Sequence, residues 1–177
     1  RNLEMTLALL IRTWSQDLCD ELAAQYGDIE GGRLWNRYGG AFPSSYADAF
    51  SKEEALFDIQ KMEQVLGANP LGMNLYNHSN KQHDMVRLKL FHNKKPLPLS
   101  DTIPILENMG FQVIDEHPFK ILPSESDEAI WIHDYGLKFV PSRNFNIDAV
   151  KENFHESLRH IWYGEVENDG FNRLVIQ

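Results

Sequence analysis

The sequence predicts an α+β protein in which N-terminal helices precede an antiparallel sheet carrying its helices on one face. Three observations predict it. Apolar residues recur at helical spacing before residue 67, at Leu7, Leu10, Ile11, Trp14, Leu18 and Leu22 and again at Leu56, Ile59, Met62 and Leu66. Beyond residue 70 the period changes, and Val86, Leu88 and Leu90 alternate with Arg87 and Lys89 as in a half-buried strand. From there the apolar stretches follow in the order strand, strand, helix, strand, strand, helix, whose stripes are buried together when both helices cover one sheet face.

The first helix runs from Leu3 to Tyr26 and stops near Gly27. Residues 31–50 carry two Gly-Gly pairs and Pro43, which fits a short helix around Leu34 to Tyr38, a break, and a turn before Tyr46. Ser51 and Glu54 form a capping box, in which hydroxyl and carboxylate each satisfy a backbone donor. The helix Lys52 to Leu66 follows and ends at Gly67, with Pro70 just beyond.

Strands are predicted over Leu71 to Tyr76 and around Val86 to Leu90, joined through the polar stretch 77–84. Pro96 and Pro98 stiffen the next loop, and Ser100 or Asp101 caps a helix holding Ile103, Ile105, Leu106 and Met109, with Pro104 in its first turn. Gly110 stops it. Strands Phe111 to Leu122 and Ile130 to Val140 flank the acidic loop 123–128, and a last helix begins near Ile147 and carries Phe154, Leu158 and Ile161. This order gives a ferredoxin-like sheet if the strand 71–76 occupies the edge place usually filled by a final strand. The domains so delimited are a helical subdomain at 1–69, the α+β domain at 70–164, and the start of a following helical segment at 165–177.

With 26 acidic and 17 basic residues the formal charge is -9, and no basic block stands ready to neutralise phosphates. Nucleic acid and anionic membrane are therefore poor partners. Cys19 is the only cysteine, so no internal disulfide forms, and a reducing compartment, the cytoplasm, is the simplest setting. The chain begins at Arg1 without a methionine and stops within Leu174, Val175 and Ile176. It reads as a piece of a longer protein with no complete catalytic site of its own.

The motif search supports that reading. Gly31-Gly32 and Gly39-Gly40 follow no strand and lack the spacing that cradles a pyrophosphate. The run His155-Glu156-Ser157-Leu158-Arg159-His160 is one residue too long for the zinc helix H-E-x-x-H. Five steps of about 100° leave the two imidazoles roughly 140° apart. His78, His83 and His92 lie near the first hairpin and receive no role. Asp115, Glu116 and His117 are a candidate acid–base cluster, but successive strand residues face opposite sides, so the two carboxylates cannot share a pocket. No catalytic, cofactor-binding or metal-ligating residue is assigned.

Four stretches carry a family likeness: RTWSQDLCDEL at 12–22, RYGGAFPSSYADAF at 37–50, PLPLSDTIPILENMGFQVIDEHPF at 96–119 and ENDGFNRLVI at 167–176. Together they resemble the N-terminal region of the large bacterial NAD-specific glutamate dehydrogenases, over nearly the whole chain. The resemblance implies a parent homo-oligomeric enzyme that converts L-glutamate and NAD to 2-oxoglutarate, ammonium and NADH. It also implies ACT-type regulatory modules with the ferredoxin-like layout, and a catalytic part beyond the C-terminal end, so that NAD belongs to the parent and not to this segment.

ACT modules take small ligands, often amino acids, near the loop leading into their first helix. The matching positions are Asn93, Leu97, Ser100 and Asp101, where free amides would hold a carboxylate and Asp101 an ammonium. Asp101 also repels a carboxylate. Against a regulatory segment stands a ligand-free module that assembles subunits through its helices and a sheet edge. An RNA-binding domain of the same layout is disfavoured by charge and by the lack of an aromatic-rich strand. Trp14, Trp35, Trp131 and Trp162 are expected mostly in the core.

Overall fold

The structure is a computed structural model that describes residues 2–67, 70–77, 85–124, 126–139, 146–170 and 172, with side chains not described at 2–5 and 7–12. The chain forms two compact units. The first holds residues 1–70, 92–95 and 119–131, and the second holds 71–91, 96–118 and 132–177.

In the first unit α1 (Asn2–Tyr38) is broken at Gly27, whose φ of 78° and ψ of 172° are reached cheaply only without a Cβ. The predicted stop therefore falls where the helix breaks. The chain does not wait for Leu34, however, but re-enters helix at once and folds back. Gly31 makes the return possible, since a Cβ there would lie 2.6 Å from the Leu22 carbonyl oxygen. Gly39 is likewise covered by the Trp35 ring. One glycine of each pair thus serves close packing, while a Cβ at Gly32 or Gly40 would meet open space.

The expected turn before Tyr46 is a short helix, α2 (Ser44–Ala49). Its Tyr46 is fully buried among Trp14, Phe42, Phe50 and Phe119, with ring centroids 4.6–6.0 Å away. The Trp14 Nε1–H donates to the Phe50 carbonyl across 3.0 Å. In α3 (Lys52–Leu66) the capping box is present, and Leu56, Ile59 and Met62 are buried. Leu66 is only half-buried, and Val65 closes the stripe instead.

The second unit is organised by a four-stranded sheet. Its strands are β1 (Leu71–Tyr76), β2 (Met85–Asn93), β3 (Phe111–Ile121) and β4 (Ile130–Phe139), in the order β1-β2-β4-β3. Two helices accompany it, α4 (Leu99–Asn108) and α5 (Ile147–Trp162). The sheet is antiparallel, and β1 pairs with β2 at the edge, as the permuted ferredoxin-like layout requires. The core follows the two-residue period: Leu71, Met73 and Leu75, then Val86, Leu88 and Leu90, then Tyr135, Leu137 and Phe139. Leu106 of α4 and Phe154, Leu158 and Ile161 of α5 join the same cluster, which sets both helices on one face.

Two expectations about α4 need correction. Pro98 is the cap residue, and neither Ser100 nor Asp101 caps, because the Ser100 hydroxyl donates to the Asp101 carboxylate instead. The helix therefore starts earlier, and Pro104 lies in its second turn. Pro104 and Ser100 are both exposed, so water can serve the carbonyl left without an amide. The tryptophans are corrected too. All four are half-buried rather than core, as suits a large ring whose N–H needs a partner.

Candidate functional site

β4 is an inner strand buried along most of its length, yet it carries His133 and Asp134 side by side. Their side chains leave the strand on opposite faces, and each gathers a polar network within the second unit. These two networks are what the structure offers as a site.

On the core face, His133 is 2% exposed. Its Nε2 accepts the Leu97 amide across 3.0 Å, and its Nδ1 lies 2.7 Å from Oε1 of Glu116 on β3. A ring nitrogen that accepts from an N–H carries no proton, so the bonding pattern assigns the proton to Nδ1, which donates to Glu116. The Tyr135 ring stacks on His133 at 6.2 Å. Burial pushes the Tyr135 hydroxyl up to about 12. The Pro98 carbonyl, next in the loop, accepts from the amides of Asp101 and Thr102 and from the Thr102 hydroxyl. The entry to α4 is thus tied to the two strands behind it.

On the opposite face, the Arg87 guanidinium of β2 bridges two carboxylates. Its Nε donates to Asp134 across 2.8 Å and its Nη2 to Asp115 across 2.9 Å. The Tyr76 hydroxyl of β1 donates to the second Asp134 oxygen, and the Lys89 ammonium lies 5.5 Å from the Tyr76 ring centroid. Burial raises the Asp134 carboxyl above its usual value, while the Arg87 charge, the Tyr76 bond and the Lys89 charge pull it back. Burial disfavours the Arg87 cation, but the Asp134 and Asp115 carboxylates overcome this and raise it. The network draws on all four strands. Gly136 completes it, since a Cβ there would meet the Asp115 carboxylate at 2.8 Å.

The sequence-predicted residues fall as follows. Asn93 ends β2, half-buried, and its carbonyl accepts the Lys95 amide. Leu97 is buried, whereas Ser100 and Asp101 are exposed and bonded to each other. Asn93 is grouped with the first unit and the other three with the second. Asp115 and Glu116 do face opposite sides, and His117 is exposed 3.6 Å from Asp115.

His155 and His160 diverge. The first accepts the Leu75 amide across 3.0 Å, and the second pairs with Glu165. His92 bonds the Lys95 carbonyl through Nδ1, and His78 and His83 lie outside the described residues. Among the described residues no group of three or more His, Cys, Asp or Glu converges for a metal, and no helix is long and apolar enough to cross a membrane. Sequence reading missed His133, Arg87 and Asp134. The signal available was a polar pair inside an apolar strand, which has to find partners once that strand is buried.

Comparison with known proteins agrees with this layout. Residues 70–150 match the family described as glutamate dehydrogenase, ACT3 domain, and residues 21–65 match glutamate dehydrogenase, helical motif 2. Among similar proteins, the NAD-specific glutamate dehydrogenase of Halomonas elongata is 38% identical over 99% of this chain and 11% of its own length. The enzyme of the same name from Pseudomonas aeruginosa is 30% identical over 98% of the chain and 11% of its own length. That from Mycobacterium tuberculosis is 25% identical over 94% and 10%. The chain thus spans about a tenth of the length of the curated relatives it matches.

Proposed function

We propose, from the premise that this chain belongs with the NAD-specific glutamate dehydrogenases, that it is a non-catalytic regulatory or architectural segment of such an enzyme. The reaction of the whole protein would be L-glutamate and NAD to 2-oxoglutarate, ammonium and NADH, in the cytoplasm, within a homo-oligomer. NAD would bind elsewhere in the polypeptide, and the remainder of that polypeptide would be this segment's first partner.

The observation that carries the reading is the bond from the Leu97 amide to His133, continued to Glu116. The bond ties the loop into α4 to β3 and β4, which supports a role in which a ligand or contact on the loop would be felt in the sheet. A small amino-acid effector at Asn93, Leu97, Ser100 and Asp101 is the regulatory form of the proposal. The start of α4, at the exposed residues Leu99 and Ser100, favours its carboxylate, and Asp101 favours its ammonium. In the architectural form the same loop is a fixed contact for the rest of the enzyme and takes no ligand.

Two measurements test this. Glutamate-dependent NADH formation is assayed for the chain beside the whole protein, where the chain should be silent, and activity in the chain alone overturns the proposal. Calorimetry with common amino acids then separates the two forms. Heat at millimolar ligand that is lost in Asp101→Ala supports an effector site, and no heat leaves the architectural form.

A further inference from the structure

We infer that His133 is a proton-sensitive latch on the loop that enters α4, closed when the ring is neutral and released when it takes a second proton. The inference goes beyond the role proposed above and holds whatever the loop serves. Neutral His133 has one vacant nitrogen, Nε2, and that nitrogen accepts the Leu97 amide at 3.0 Å. The other nitrogen already bears its proton toward Glu116 at 2.7 Å. A second proton can therefore attach only at Nε2, where it would face the Leu97 N–H. Two donors cannot share that line, and the loop bond is lost while the imidazolium stays paired with Glu116.

The surroundings of the ring are largely apolar apart from one carboxylate. On the His133 side of the sheet β2 presents Val86, Leu88 and Leu90, and its charged Arg87 and Lys89 follow the other parity of the strand. From β3 the facing ionisable group is Glu116, and from β4 it is Tyr135, stacked on the ring. α4 contributes Thr102 and Leu106, both fully buried, with Asp101 exposed to water. α5 contributes Phe154, Leu158 and Ile161, while its Lys151 and His155 bond Asn74 and Leu75 of β1. Glu116 is thus the counter-charge among the described residues that meets the new proton, and the Leu97 amide is the group that loses its partner. Histidine is the side chain whose charge changes in the range from pH 5 to 8. The Leu97 amide leads directly to the Pro98 carbonyl that receives the first amides of α4, so release loosens the start of the helix.

Amide exchange and ring titration, followed by NMR on the chain from pH 8 to pH 5, test the latch. The expected result is that protection of the Leu97 amide, corrected for the intrinsic exchange rate, falls by at least about tenfold in step with protonation of His133. The strand amide of Leu88 keeps its protection over the same range. In His133→Gln the side-chain oxygen can still accept from Leu97 and nothing titrates, so the fall disappears. In Glu116→Gln the imidazolium has lost its counter-charge and release needs a lower pH. Protection of Leu97 that stays level while His133 titrates overturns the inference. So does a ring that takes no proton above pH 5, a loss shared equally by Leu88, or an unchanged fall in the glutamine variant. Should His133→Gln not fold, the comparison of Leu97 with Leu88 in the unaltered chain decides alone.

Discussion

The Arg87 guanidinium and the Asp134 carboxylate meet at 2.8 Å, with side chains only 14% and 5% exposed. Removing one partner of such a pair strands the other as a buried charge, which costs more than the pair itself contributes. Arg87→Met should therefore lower stability by about 3 kcal/mol at pH 7, the lower part of the usual range, because Tyr76 and Lys89 still serve Asp134. Urea denaturation measures it.

That loss should shrink in acid. Burial holds the Asp134 carboxyl above its usual 3.8, so the folded chain binds this proton more tightly than the unfolded chain. A raised carboxyl contributes stability that is complete below 3.8 and is lost as the pH climbs through the raised value. Without Arg87 the carboxyl rises further. The gap between Arg87→Met and the unaltered chain is thus expected to narrow from pH 7 to pH 4.5, and a gap that widens would show that Asp134 is not the group left exposed to the change.

Gly136 and Asp115 give a second test, because a Cβ at 136 would press on the carboxylate that Arg87 holds. Gly136→Ala should cost about 1–2 kcal/mol. In an Asp115→Ala background the same substitution should cost less, and the coupling is read from a double-mutant cycle.

In the first unit Gly31→Ala should be the most damaging glycine substitution, at roughly 2–3 kcal/mol, since the added carbon meets the fixed backbone of Leu22 rather than a movable side chain. Gly27→Ala meets open space and bears only the strain of a backbone conformation that suits glycine alone (φ 78°, ψ 172°), roughly 1–2 kcal/mol. Thermal melts of the two variants should rank in that order.

Ser51→Ala removes the hydroxyl that accepts the Glu54 amide and should lower stability by about 1 kcal/mol. Circular dichroism during denaturation would register it.

Much of the fold was legible because its signals are local. Ser51 with Glu54 announced α3, Gly27 announced a break, and the alternation at Val86, Leu88 and Leu90 announced β2. The ferredoxin-like edge place of β1 also followed, from element order alone. The networks were not legible in the same way. Arg87, Asp115 and Asp134 come together only through strand register, which no short stretch encodes. In β3 the alternation itself breaks. Phe111 and Val113 pack on the core side, yet Asp115 reaches Arg87 on the far side and Glu116 returns to His133. A regular two-residue period would have put Asp115 beside Val113. The start of α4 was misplaced for a related reason, since Ser100 resembles a cap until its hydroxyl is seen bonded to Asp101.

The small contacts made by α5 on β1 reach further than their size. His155 takes the Leu75 amide and Lys151 the Asn74 side chain, on a strand whose only sheet neighbour among the described residues is β2. The Leu75 amide, a backbone donor that could recruit another strand, is thus already engaged. A strand added at β1 would first have to displace the His155 imidazole from the Leu75 amide, so one ring on a helix sets a toll on that edge.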